Sequence, residues 1–213
     1  MSYIMEIMPL MMQGLRTTIW VFVFTGLLSI PLGMIICTLR LSKSKILQGT
    51  MQLYILIVRG TPLLLQLIFV FFGLVYVGIV LDRGTAVLIA FTLNYAAYFA
   101  EIFRGGVMSI SEGQYEASKV LGLSKRDTYF GVILPQVFKR VLPPVGNELI
   151  TLVKDTSLVY VLGLGDVIRA AKTLSNTQAS LMPIVVAGVI YLVLIAIVTY
   201  LLRRTEIKYN YYR

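Results

Sequence analysis

The sequence predicts an all-α integral membrane protein of five transmembrane helices, N-terminus outside and C-terminus cytoplasmic, with one helix-turn-helix loop on the cytoplasmic side. Three observations predict it. Hydrophobic residues make up 58% of the 213 and charged residues only 14%, against about 25% charged in soluble domains. Five stretches are free or nearly free of charge over the roughly 20 residues that a helix needs to cross a bilayer. Lysines and arginines bracket those stretches instead of gathering on one face. The net charge of +9 therefore reads as topology, and no nucleic-acid partner is expected.

Residues 1–13 form a methionine-rich lead-in with Glu6 and Pro9, expected to lie as an interfacial helix on the bilayer surface. No basic leader with a small-residue cleavage site is present, so no removable signal peptide is read. Span one, residues 17–39, carries no charge; Trp20 suits an interfacial anchor, and Pro31 with Gly33 can kink the helix. Span two covers about 52–81. Its apolar run starts early enough for Arg59-Gly60-Thr61-Pro62 to break it at some membrane depth. Beyond the break, Gln66 suits a helix-helix hydrogen bond or a substrate contact equally well.

Span three, residues 85–103, carries Asn94, Tyr98 and Glu101 at i, i+4 and i+7. One face of an apolar helix is thus polar, and it must meet protein or water. Glu101 either lines a path or pairs with Arg104 or Arg140 near the cytoplasmic interface. Span four, residues 141–164, has a second stripe of Glu148, Thr151 and Asp155 at i, i+3 and i+7. Charges at such depth mark pathways. Lys154 and Asp155 read equally well as neutralising partners for another helix, whereas Glu148 has no basic neighbour within a turn of its own helix. Its carboxylate is the one left for a cationic ligand. Gly163 to Gln178 is an external connection with helical character, and span five covers 183–202.

The longest polar block is residues 111–135. Ser111 precedes Gln114 by three residues and Ser124 precedes Asp127 by three, two capping-box spacings that start two helices. Gly122 separates them and suits a left-handed turn, while Pro135 limits the second helix or opens the next element. Orientation follows from charge. Arg40, Lys43 and Lys45, the six basic residues from Arg104 to Arg140, and Arg203, Arg204, Lys208 and Arg213 share one side. Arg16, Arg83, Arg169 and Lys172 lie on the other. The heavier side is cytoplasmic, and it holds the polar block.

Within that block, Glu116-Ala117-Ser118, Gly122 and Val132-Ile133-Leu134-Pro135 stand at spacings that resemble the EAA loop of membrane subunits of bacterial ATP-binding-cassette (ABC) importers. Ser118 and Val132 depart slightly from the usual alanine and isoleucine. Arg59 to Gln66, Ala97 to Gly106, Asn147-Glu148 and Lys154 to Leu158 are similar to the polar-amino-acid permeases of the same class. The resemblance implies that Glu116, Ala117, Ser118, Gly122, Leu134 and Pro135 form a plug seated on a cytoplasmic ABC ATPase. It also implies an amino-acid substrate delivered by an extracytoplasmic binding protein, and the two polar stripes, Asn94, Tyr98 and Glu101 with Glu148, Thr151 and Asp155, are the residues expected to face it.

No GxxxxGK[ST] phosphate loop occurs, so this chain is not expected to be an enzyme or to hold a cofactor; ATP and Mg are expected on the partner ATPase. With Cys37 the single cysteine and no histidine, no metal site is expected either. Five spans are few to enclose a path, which favours a second permease chain, most simply as a homodimer. The expected location is the bacterial plasma membrane. A gated ion channel or a non-transporting scaffold would also account for intramembrane charge, without accounting for the spacing around Gly122.

Overall fold

The computed structural model describes residues 2–209; Met1 of the lead-in and Arg213 of the basic tail lie outside the described residues. Nine α-helices are present there: α1 (Ser2–Arg40), α2 (Lys45–Gly60), α3 (Leu63–Ile68), α4 (Arg83–Met108), α5 (Glu112–Val120), α6 (Lys125–Asp127), α7 (Leu134–Asp155), α8 (Val167–Gln178) and α9 (Met182–Tyr209). No strand occurs among the described residues.

The lead-in does not form a separate surface helix. It is continuous with span one as α1, which carries Pro9 and Pro31 inside it. The reason is one buried stripe, Ile7, Met11, Gly14, Thr18, Val21 and Thr25, that recurs every three or four residues across the expected boundary. Met11 packs among Val167, Ala170, Ala171 and Ala187, and the Tyr3 hydroxyl donates to Gln178 Oε1 at 2.6 Å. At 1.5 Å per residue α1 is roughly 58 Å long, well beyond a hydrocarbon core of about 30 Å. Its first turns are held by α8 and α9.

α4 is the central helix. Its small and aromatic face buries Ala86, Ala90, Phe91, Tyr95, Ala96 and Phe99. α1 approaches so closely that a Cβ on Gly33 would lie 2.7 Å from the Cβ of Phe99; only glycine permits that crossing. Against this pair pack Leu67 from α3, Leu152 from α7 and Val159 beyond it.

Span two is not one straight element. α2 begins at Lys45, capped by Ser44, and the axes on either side of the break differ by 104°. Thr61 is extended (φ −120, ψ 146), as expected of a residue before proline, and Pro62 offers no N–H to continue α2. Gln66 closes the corner, donating to the Val58 carbonyl at 2.7 Å and to Thr61 Oγ1 at 2.8 Å. With the Thr61 hydroxyl donating to the Ile57 carbonyl at 2.9 Å, two of the freed carbonyls at the end of α2 are thereby satisfied. α3 runs on through a π-helical turn, Phe69–Gly73, and a 3-10 turn, Leu74–Val77.

Three helices are long and apolar enough to cross a membrane, and the bent pair supplies a fourth if it counts as one span. α7 is not among them, because Lys139, Arg140, Glu148, Lys154 and Asp155 lie along it. It starts at Leu134, earlier than expected, with Pro135 in its first turn, where a missing N–H costs nothing. A 3-10 segment, Thr156–Leu162, extends it. The connection before span five, expected to be external, is a full helix, α8, capped by Asp166, whose carboxylate accepts from the Ile168 and Arg169 amides at 3.0 Å each.

The polar block has both expected caps. Ser111 Oγ accepts from the Gly113 amide at 3.3 Å, and Ser124 Oγ accepts from the Asp127 amide at 3.1 Å. Gly122 has φ +71. Around it Leu123 N–H donates to Ser118 O at 3.0 Å and Gly122 N–H to Lys119 O at 3.1 Å, the paired bonds of a Schellman turn. Two details differ from expectation. Gln114 does not complete a reciprocal box; its Oε1 accepts instead from Gln136 Nε2 at 3.1 Å, tying α5 to α7. The second helix is a single turn, α6, that passes through a π-helical segment, Thr128–Ile133, straight into α7.

Candidate functional site

The α4 and α7 stripes meet. With the corner after α2 they line a cavity of about 600 Å³ whose walls include Asn94, Tyr98, Glu148, Thr151 and Asp155. Five of the six expected substrate-facing residues are thus brought together. α4 contributes Asn94, buried, with Nδ2 donating to Gln66 Oε1 at 3.0 Å. Gln66 is therefore committed to the corner and to α4, the helix-helix alternative. Tyr98, one turn on, carries the Arg59 guanidinium over its ring at 5.0 Å from the centroid.

α7 contributes the acids. Asp155 Oδ2 accepts from the Tyr95 hydroxyl at 2.7 Å, which joins α7 to α4. Thr151 Oγ1 donates to the Asn147 carbonyl at 3.1 Å and so spends its proton within its own helix. Glu148 is half-buried and makes no hydrogen bond or ion pair among the described residues. A carboxylate in that setting demands either water or a cation. Lys154 points away from the cavity and is exposed.

Glu101 is not part of this wall. It pairs with Arg40 at 3.1 Å and Arg104 at 2.8 Å. Arg140, the other expected partner, donates instead to the Ser109 carbonyl. Glu101 lines a second cavity of about 380 Å³ with Arg40 and Gln52, on the other side of Arg59 and Gly60. The reason is register: seven residues from Asn94 carry the stripe two turns down α4, past the level of the corner.

Sequence reasoning missed Tyr95 and Arg59 as cavity residues. Tyr95 lies on the apolar face of α4, and only its hydroxyl betrays a polar partner. Arg59 did carry a signal, being a lone charge inside an apolar stretch. In the polar block Glu116, Ala117 and Gly122 are exposed, as are Leu134 and Pro135. Ser118 is buried and its hydroxyl donates to the Gln114 carbonyl at 2.7 Å.

Residues 29–207 match the family model described as binding-protein-dependent transport system inner membrane component. The chain belongs to that family. This inner membrane component is 38% identical over 202 residues to the arginine transport system permease protein ArtQ of Bacillus subtilis, covering 94% of this chain and 92% of the relative. It is 34% identical over 208 residues to the glutamine transport system permease protein GlnP of Escherichia coli, covering 96% and 95%. A crystal structure of an amino acid ABC transporter with histidines superposes at a TM-score of 0.91, with 31% identity and 97% of both chains covered. The inner membrane component is thus a multi-pass ABC permease subunit of the bacterial plasma membrane.

Proposed function

We propose that this permease subunit carries a polar amino acid, of the basic class, inward by ATP-driven alternating access. Relatives named for arginine and for glutamine lie at similar identity, so names do not choose between substrates. The observation that carries the choice is Glu148, a carboxylate on the wall of a roughly 600 Å³ cavity with no hydrogen-bonded or salt-bridged partner among the described residues, the Arg59 charge acting on it only across the cavity. A basic side chain would supply one.

In this reading α7 is span four and brings the spans to five, tolerated despite its charges because its polar face lines the cavity. The termini lie outside and inside as the basic residues dictate. The surface of α5 and α6 around Gly122 docks on cytoplasmic ABC ATPase subunits, which bind ATP and Mg and do the hydrolysis. A second permease chain, most simply a copy of this one, completes the pathway, and an extracytoplasmic amino-acid-binding protein delivers substrate. ATPase closure moves the docked segments and biases a two-state pore.

The test is binding of arginine and glutamine by the detergent-purified complex and by its Glu148→Gln form. Losing one charge-assisted contact should weaken arginine binding by about 1.5–3 kcal/mol and leave glutamine nearly unchanged. A native preference for glutamine would refute the basic-substrate reading.

A further inference from the structure

We infer that Arg59 determines specificity in this cavity by taking the α-carboxylate of the amino acid, a role that rests on the amino-acid reading above but not on the substrate being basic. The lining is asymmetric in charge: Glu148 and Asp155 are its acids, and Arg59 is its single base among the described residues. A zwitterion needs both signs. The acids can receive an ammonium or a basic side chain, and a carboxylate is left with Arg59 as its only charged counterpart.

Arg59 is also available. It forms no ion pair or hydrogen bond among the described residues, although two carboxylates share its cavity. It rests on the Tyr98 ring at 5.0 Å, and its charge acts on Glu148 across the cavity without a hydrogen bond. A guanidinium resting on a ring keeps its edge N–H donors for a partner in the guanidinium plane, and a carboxylate matches two of them at once. Glu101, in the adjoining cavity, does not compete, because Arg40 and Arg104 already hold it.

Its position is built. Arg59 is the penultimate residue of α2, before the chain turns through 104°. Gln66 clamps the Val58 carbonyl and Thr61 on either side of it, and Asn94 in turn holds Gln66. The backbone that carries the guanidinium is thereby fixed against α4, the helix that bears Tyr98. Such bracing removes part of the ordering cost of binding. Because Arg59 and Gly60 border both cavities, the carboxylate would be read where the two spaces adjoin.

The experiment compares each amino acid with the same molecule lacking its carboxylate, using the purified complex. Arginine is paired with agmatine, and glutamine with 4-aminobutanamide. The wild-type complex should bind the amino acid of the preferred pair at least tenfold more tightly than its decarboxylated partner. Arg59→Gln should lower affinity for the amino acid at least tenfold and leave the decarboxylated ligand within twofold, with Arg59→Lys in between. A purely structural Arg59 would weaken both members of a pair alike, and that result, or no effect on either, overturns the inference. Discrimination within the glutamine pair alone would refute the basic-substrate reading while upholding Arg59. Loss of arginine binding in Glu148→Gln, with Arg59→Gln unaffected, would do the reverse. A complex that binds neither pair would overturn both.

Discussion

Replacing Gly122 isolates backbone conformation from packing, because an added Cβ would meet nothing within 4 Å. The only obstacle is φ +71, a region that costs an L-residue about 1–2 kcal/mol and a β-branched one more. A penalty of that size shifts the turn population by a factor of roughly 5–30. What is lost is the paired closure by Leu123 and Gly122 on the carbonyls of Ser118 and Lys119, and with it the fixed angle between α5 and α6. Gly122→Val should therefore insert normally but uncouple ATPase stimulation from substrate uptake. Gly122→Asn, whose side chain tolerates the left-handed region, should stay near wild type, and Gly122→Ala should fall between. Uptake and ATPase activity would be measured side by side in reconstituted vesicles. Normal uptake with unchanged stimulated ATPase in Gly122→Val would refute the coupling role of this turn, and equal damage by Asn and Val would refute the conformational explanation.

Three further outcomes follow from the same structure. In a Cys37→Ala background, Asn176→Cys should react with an impermeant thiol reagent in intact cells and Lys125→Cys should not; the opposite pattern would invert the topology. Glu101→Gln should cost about 1–3 kcal/mol of stability by releasing Arg40 and Arg104, and leave arginine affinity unchanged, since Glu101 lies off the larger cavity; a large affinity loss would place it back in the site. At the head of α8, burial holds the Asp166 carboxyl above the usual carboxylate range. Its contribution to stability is then fullest below the unfolded value of about 3.9 and declines as pH rises towards the raised folded value. Asp166→Asn should flatten that decline and match or exceed wild type in thermal unfolding at neutral pH. Asp166→Ala should lose about 1 kcal/mol with its cap; equal behaviour of the two variants would refute the capping account.

What the sequence made legible was local. Capping residues, the Arg59 to Pro62 break and the two polar stripes all announce themselves within a turn or two, because helix periodicity and proline chemistry act over that range. The cavity could be anticipated for the same reason, since two polar faces in apolar helices must find each other or water. What stayed hidden depended on distant partners. Glu101 looks like a member of the Asn94 stripe until Arg40, from another helix, claims it. The lead-in looks interfacial until α8 and α9 supply a wall for Met11. Tyr95 reads as core because its hydroxyl meets Asp155 only after α7 has packed on α4.

The absence of a loop between α6 and α7 bears on how a cytoplasmic push would reach the cavity. From Lys125 the chain is helical through the π-helical segment and α7 to Leu162, with Pro143 and Pro144 inside α7, so the proposed docking segment and the Glu148 stripe belong to one loop-free, proline-containing helical rod. Glu148 stands about 21 Å along it from Leu134 at 1.5 Å per residue. Tilting that rod must either carry Asp155 away from Tyr95 or drag α4 with it, because their 2.7 Å bond crosses between the helices. α4 in turn holds the corner through Asn94 and Gln66, whose partners lie on both sides of the 104° bend. Motion at Gly122 would thus change the distance between the acids on α7 and Arg59 at the corner. In the proposed reading that distance is what an amino acid spans, so the same displacement that signals nucleotide closure would loosen the grip on its two ends.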